Sequence, residues 1–190
     1  MVESIIESLN IYNDVKFKFD PTYHKYTYDG VAFISVTQFI SRFHKEFDKD
    51  FWSKKKSEEA GVDQEDILKE WQSLNDRANF IGTSTHNYIE NYFNRIFQDI
   101  PIDLDVVDRI NKFNKIFATH LYKLTPIKFE QRIFSKKWKI AGMIDSLFIY
   151  KDKLILLDWK SNKKFTTHSV YNEKLLEPFN DFDKCYLTEY

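Results

Sequence analysis

Two aspartates and a lysine in the last third of the sequence are residue types that phosphodiester hydrolysis needs. Asp145 is followed thirteen residues later by Asp158 and fifteen residues later by Lys160. Two carboxylates can ligate a divalent cation, which activates water and offsets charge at phosphorus, and a nearby lysine can stabilise the attacked phosphate. We therefore expect Asp145, Asp158 and Lys160 to be catalytic, with both aspartates as metal ligands.

The hydrophobic pattern places these residues on neighbouring strands. Period-two alternation predicts three strands with links short enough for hairpins, at 127–134, 139–150 and 154–160. Residues two apart in a strand share a face, so Asp158 and Lys160 should project together while Trp159 points into packing. The apolar start of the third strand predicts a position in the middle of the sheet.

A β-ribbon and several helices precede these strands. The ribbon covers 15–35, where KFKF and KYTY alternate polar and apolar residues. Helical periodicity and capping signals predict five helices, over about 37–43, 51–60, 63–81, 84–98 and 104–121. Either Ser35 or Thr37 should cap the first. Gly82 is expected to end the third helix, and Thr83 or Ser84 to cap the fourth.

Apolar residues at helical spacing predict the core-facing sides of these helices. The predicted faces comprise Ile67, Leu68, Trp71, Leu74 and Ala78, then Ile89, Phe93 and Phe97, then Val107, Ile110, Phe113 and Phe117. We interpret the phenylalanines among them as core and not as a platform for stacking bases.

Other residues that could ligate a metal lie on the predicted helices and strands. His86 and Glu90 are four positions apart and therefore share a helix face. Glu130 precedes Asp145 by one strand and could reach the same cleft. The alternatives are a His86 that only packs locally, a Glu90 that faces solvent, and an Asp145 that only accepts backbone hydrogen bonds at a bulge near Gly142. Asp158 and Lys160 could likewise be an ordinary exposed carboxylate and lysine at a strand end.

Composition excludes several classes of function. With 190 residues the chain fits one domain, and its single cysteine excludes an internal disulfide and a zinc ribbon. None of the four glycines forms a phosphate-binding loop, so no nucleotide cofactor is expected. No apolar run approaches membrane-spanning length and no signal peptide is present, so we expect a cytoplasmic protein without a membrane partner.

The charge is unevenly distributed along the chain. The formal net charge is −1, yet residues 128–164 contain ten Lys or Arg against four Asp or Glu, a local net of +6. Such a basic stretch suits a polyanion. DNA is therefore the expected partner.

Four motifs together resemble the PD-(D/E)xK nuclease superfamily, in particular its RecB-like branch of phage and mitochondrial exonucleases. They are GTSTHNYIE at 82–90, Glu130, AGMID at 141–145 and DWKS at 158–161, and they occur in the order found in that branch. Weaker similarity lies in YHKY at 23–26 and ISVT at 34–37.

This resemblance implies an α/β fold with a restriction-endonuclease-like core, in which helices flank a central mixed sheet and a β-ribbon precedes it. It implies one nuclease domain over 1–190, with the ribbon at 15–35, a helical part at 63–121 and a catalytic sheet at 125–164. It also implies Mg²⁺ or Mn²⁺ as cofactor and an exonuclease of phage or bacterial DNA recombination or replication, with proteins of those processes as possible partners.

By the same resemblance, His86 is an additional metal ligand, Asp145 and Asp158 are the principal ligands, and Lys160 is the catalytic lysine. Relatives continue into a helix bearing Q-x-x-x-Y, whereas this sequence reaches CYLTEY at residue 190, so we expect a fragment or a shortened member. The alternatives are a sequence-specific endonuclease and a catalytically silent DNA-binding or assembly module with the same fold.

Overall fold

The computed structural model describes residues 2–162, 166–169 and 171–185. In these ranges the chain forms α1 Val2–Leu9, β1 Phe17–Asp20, β2 Lys25–Tyr28, β3 Val31–Ser35, α2 Val36–Ser41, α3 Lys49–Ala60, α4 Gln64–Asn94, α5 Leu104–Ile116, β4 Thr125–Ser135, β5 Ile140–Tyr150 and β6 Lys153–Leu157. A 3₁₀ segment, Asn10–Asn13, follows α1, and a π-helical segment, Phe117–Leu121, extends α5. None of the helices described has both the length and the apolar character to cross a membrane.

Two expectations fall partly on residues outside those described. The predicted catalytic sheet extends to 164, and residues 163–165 are not among those described. The comparison with the Q-x-x-x-Y helix depends on residues near 190, and 186–190 are likewise outside the described ranges.

One mixed sheet organises the fold. Strands β1, β2 and β3 form an antiparallel ribbon, and β3 then pairs in parallel with the start of β5. One edge of β5 is covered by antiparallel β4, while its other edge is shared by β3 at its start and antiparallel β6 at its end. The predictions of an α/β class, a mixed sheet flanked by helices and an N-terminal ribbon of strands are confirmed.

Local sequence signals explain where the first helices begin and end. Ser35 caps α2 with a capping box, because its hydroxyl accepts from the Gln38 amide and the Gln38 side chain accepts from the Ser35 amide. Gly61 ends α3 with a left-handed φ of 67°, a conformation that glycine adopts without strain. Both boundaries follow the sequence-based expectation.

Gly82 lies inside α4, so the predicted break there is wrong. A single helix of 31 residues covers Gln64–Asn94. The hydroxyl of Thr85 donates to the Ile81 carbonyl at 2.7 Å within this helix, and no new helix starts here. A glycine costs a helix only about 1 kcal/mol relative to alanine, and the turns on both sides of Gly82 outweigh that cost. The helix ends at Asn94, before Arg95 with a φ of 57°, and not near 98.

The early end of α4 changes which aromatic residues are buried. Phe97 lies beyond the helix and is 91% exposed, so its assignment to the core is wrong. Phe93, inside the helix, stacks on Phe129 of β4 with ring centroids 4.5 Å apart and contacts Phe148 of β5 at 5.3 Å. This aromatic contact fixes the C-terminal half of α4 on the sheet.

Single residues on two helix faces are placed wrongly. In α5, Ile110 and Phe113 are buried as predicted, but the fully buried valine is Val106 and not Val107. In α4, Ile67 is buried as predicted, whereas Leu74 and Ala78 are exposed. The N-terminal half of α4 contacts α3, a short and highly charged helix that offers little apolar surface.

Strand β6 is shorter and more exposed than predicted. It ends at Leu157, so Asp158 and Lys160 follow the strand and do not lie in it. Among the described residues β6 pairs with β5 alone, and Leu156 is 58% exposed. The central position predicted for β6 is therefore wrong. That position belongs to β5, whose residues 146–149 are all buried.

Gly142 of β5 lies under the first turn of α2. A Cβ atom added at this glycine would be only 2.9 Å from Cγ2 of Val36. Valine is stiff about χ1, so it could not move away cheaply. The glycine of AGMID therefore permits α2 to approach the sheet closely.

We expect Gly142→Ala to destabilise the fold by about 1–3 kcal/mol, because the added methyl overpacks against Val36. Adding Val36→Ala should recover part of that loss, since the two side chains meet directly. Urea unfolding of both single variants and the double variant measures the coupling. Strictly additive losses would contradict the proposed contact.

Candidate metal centre

The register of the sheet brings three carboxylates level with one another. The residues before and after Glu130 on β4 pair with the residues after and before Asp145 on β5, so Glu130 lies opposite Asp145. The last pair of β5 with β6 joins Ser146 to Leu157, which leaves Asp158 level with Asp145 just beyond the end of β6. Directly opposite residues of paired strands project from the same face. Strand pairing therefore concentrates acidic side chains at the middle of β5.

The backbone of Glu130 is strained. Its φ is 48°, in the left-handed region, which costs a residue with a side chain about 1–3 kcal/mol. The neighbouring residues Phe129 and Gln131 remain paired with β5, so the sheet holds Glu130 in this conformation. Strain of this kind persists only where the surrounding structure imposes it, and here it lies at the row of carboxylates.

His86 of α4 faces two of these carboxylates. Its Nδ1 atom is 3.8 Å from Oε1 of Glu130 and 3.7 Å from Oδ2 of Asp145. Ligand atoms of the three residues all lie within 4.8 Å of one another. One helix and two strands thus supply a group, His86, Glu130 and Asp145, that could hold a metal ion.

The backbone of Trp159 orients two members of this group. Its N–H donates to Oδ2 of Asp145 at 2.7 Å, and its carbonyl oxygen lies 2.8 Å from Nε2 of His86. A carbonyl can only accept, so Nε2 carries the hydrogen and Nδ1 is the atom directed at the carboxylates. The indole N–H of Trp159 also donates to the buried hydroxyl of Ser146 at 2.7 Å.

Sequence reasoning missed this role of Trp159, which was expected only to pack. The indole does pack, meeting Phe113 edge to face at 5.4 Å. Its backbone contacts to Asp145 and His86 carry no signature in residue type, because any residue has the same N–H and C=O groups. The end of β6 at Leu157 is the feature that could have indicated this role, because the Trp159 backbone lies beyond the strand and does not take part in its pairing.

Negative charge and burial shift the pKa values of the group. The Glu130 carboxylate raises the pKa of His86 against the opposing effect of burial, and Asp145 and the Trp159 carbonyl contribute further. Burial raises the pKa of Asp145, and the charges of Asp158 and Glu130 add to that shift. The His86 shift and the smaller, charge-dependent part of the Asp145 shift reflect negative charge concentrated at one point, which a divalent cation would offset.

Asp158 and Lys160 lie beside this group and outside it. The three-residue group formed by the described residues does not include Asp158, whose side chain is 50% exposed, compared with 12% for Asp145. Oδ2 of Asp158 is 2.8 Å from Nζ of Lys160. The two residues do project together, as expected, and form an ion pair at the rim of the centre.

Glu90 lies one helical turn beyond His86 on α4. Burial raises its pKa, and the charge of Glu130 raises it further. Glu90 is therefore close enough to Glu130 to interact with it, but it is not a member of the metal-ligand group. Of the two acids that the sequence left open, Glu130 enters the group and Glu90 lies alongside it.

The ligand atoms are close enough to one another to approach one divalent cation, and small side-chain shifts would bring them to the positions of an octahedral ion. Two atoms on bonds of about 2.1 Å are about 3.0 Å apart when the bonds are perpendicular and about 4.2 Å apart when they are opposite. The measured separations of 3.8 and 3.7 Å from His86 Nδ1 to Glu130 and Asp145 fall between these limits. A six-coordinate ion would keep positions for water or substrate oxygens.

Comparison with protein-family models, curated proteins and solved structures found no match for this chain. The function must therefore be inferred from the side chains of the site itself. These are a histidine and two carboxylates arranged around one point, with the ion pair of Asp158 and Lys160 next to them.

We expect His86→Ala to weaken Mn²⁺ binding by at least about tenfold, since it removes the imidazole ligand directed at Glu130 and Asp145. Isothermal titration calorimetry measures this change. His120→Ala is the matched control, because His120 is an exposed histidine on the π-helical segment. Equal Mn²⁺ affinity in the two variants would show that His86 packs locally and does not bind the metal.

Proposed function

We propose that this chain is a metal-dependent nuclease of the PD-(D/E)xK type that hydrolyses phosphodiester bonds in DNA. The observation that carries the proposal is that His86, Glu130 and Asp145 converge on one point while the Asp158–Lys160 pair lies beside it. The resemblance of GTSTH, AGMID and DWKS to motifs of the RecB-like branch supports it, because these motifs contribute His86, Asp145, Asp158 and Lys160.

Mg²⁺ or Mn²⁺ is the cofactor that we propose for this centre. Bound there, the cation would lower the pKa of a water molecule and offset negative charge on the attacked phosphate. His86 would contribute Nδ1, and Glu130 and Asp145 would each contribute a carboxylate oxygen. Imidazole is a softer ligand than carboxylate, so this donor set favours Mn²⁺ over Mg²⁺.

Lys160 would stabilise charge that develops on the phosphate. Its ammonium group is partly exposed, and Asp158 restrains its position through the 2.8 Å ion pair. As water attacks phosphorus, negative charge grows on the non-bridging oxygens, and an ammonium group within hydrogen-bond distance stabilises that charge. The bond from phosphorus to the 3′ oxygen breaks, which yields a 5′-phosphate and a 3′-hydroxyl.

Within this proposal we assign the chain an exonuclease activity that acts from DNA ends. The basic stretch at 128–164 supports contact with the DNA backbone, and contacts to phosphates carry no sequence information. The RecB-like resemblance supports action at ends, in phage or bacterial recombination or replication. The alternative activity is that of a sequence-specific endonuclease. The comparison of linear with closed circular DNA distinguishes the two activities.

We expect Asp145→Ala and Lys160→Ala each to lower cleavage of linear DNA by at least about a hundredfold, since each removes several kcal/mol of transition-state stabilisation. Asp158→Ala should also be strongly impaired, because Lys160 loses its restraint. The control is Asp152→Asn, a change in the exposed β5–β6 turn, where asparagine tolerates the φ of 61°. Near-normal cleavage by folded Asp145→Ala protein would exclude the proposed centre.

We also expect linear DNA to be shortened from its ends while closed circles stay intact. Purified protein is incubated with Mn²⁺ and either end-labelled linear DNA or closed circular DNA of the same sequence. The predicted products from the linear substrate are mononucleotides or short oligonucleotides. Discrete internal fragments, or nicking of circles at the rate of linear shortening, would contradict the exonuclease assignment.

A further inference from the structure

A cavity of about 450 Å³ lies next to the candidate metal centre. Among the described residues, those that line the cavity belong to α4, to α5 and to the segment 159–162, which follows β6. A volume in this range is typical of sites for small organic molecules. His86 and Lys160 line it as well, so the cavity includes one ligand of the metal centre and the lysine at its rim.

One part of the lining is cationic. Arg109 and Lys112 of α5 and Lys160 contribute three positive side chains. The Arg109 guanidinium is anchored, because its Nε donates to the Ser161 carbonyl at 3.2 Å. Arg109 and Lys112 both bind the single carboxylate of Asp108, at 2.6 and 2.7 Å. Two cations that share one carboxylate present a local excess of positive charge, which suits a phosphate dianion.

Another part of the lining is apolar. Ile89 and Phe113 are buried and lie on the helix faces toward the sheet, while Ile116 is exposed near the C-terminal end of α5. Trp159, whose indole is held by its hydrogen bond to Ser146, also lines the cavity. A flat apolar group would be removed from water here, which inorganic phosphate does not require.

We propose that this cavity binds a nucleotide, with its phosphate at Arg109 and Lys112 and its base against the wall that contains Ile116 and Trp159. The mixed lining distinguishes a nucleotide from a bare phosphate, which needs no apolar wall, and from a nucleoside, which needs no cations. The proximity to His86 and Lys160 identifies the occupant as the terminal nucleotide of the strand being cut. That identification rests on the proposed nuclease function, whereas nucleotide binding itself does not.

The test is calorimetric titration of the full chain, held free of metal by a chelator, with 2′-deoxythymidine 5′-monophosphate, thymidine and inorganic phosphate. We expect the monophosphate to bind at least about tenfold more tightly than either of the other two, since it alone uses both walls. Equal binding of inorganic phosphate, or no saturable binding of the monophosphate, would overturn the proposal.

Variants on one helix assign the binding to the cavity. Lys112→Ala should weaken binding of the monophosphate by about tenfold. Lys112 is 61% exposed, so the fold should tolerate its loss. Lys115→Ala is the matched control, because Lys115 is also an exposed lysine of α5 but is not among the residues that line the cavity. Equal effects of the two variants would overturn the assignment.

A third measurement separates this proposal from the proposed function. Cleavage of linear DNA by the wild-type chain with Mn²⁺ is measured alongside its monophosphate binding without metal. If the wild-type chain binds the monophosphate but does not cleave DNA, the nuclease proposal fails and the nucleotide site stands. If it cleaves DNA without binding the monophosphate, the nucleotide site fails alone.

Discussion

The geometry of the candidate centre depends on the backbone of Trp159. Its N–H holds one oxygen of Asp145 and its carbonyl fixes the hydrogen of His86 on Nε2. These contacts orient ligands from β5 and α4 with backbone groups that no side-chain substitution at Trp159 removes. The indole is anchored on Ser146 and Phe113, so the backbone cannot shift without disturbing buried packing.

Strand pairing provides the remaining constraint. β5 is the central strand, and the register that it sets with β4 places Glu130 opposite Asp145 at the cost of a left-handed φ. A sheet with ordinary geometry at Glu130 would avoid about 1–3 kcal/mol of strain. That strain coincides with a histidine whose pKa is raised and a half-buried aspartate whose pKa is raised. Such clustering of perturbed groups is a feature of functional sites.

The sequence predicted the helices and strands more accurately than it predicted which residues pack against one another. Alternation located the strands, and capping residues such as Ser35 located helix starts, because both signals are local. The continuous helix through Gly82 and the exposure of Phe97 depended on tertiary packing, which periodicity does not contain. For the site, residue types pointed to His86 and Asp145, but the choice of Glu130 over Asp158 as the third member depended on where β6 ends.

The central claim is that one imidazole nitrogen and two carboxylates bind a divalent cation, and pulsed electron paramagnetic resonance of Mn²⁺ tests it most directly. Protein carrying ¹⁵N-labelled histidine is loaded with one equivalent of Mn²⁺. The predicted spectrum shows a coupling to one directly bound histidine nitrogen, which is lost in His86→Ala. A spectrum without nitrogen coupling, or one that the substitution leaves unchanged, would contradict the proposed centre.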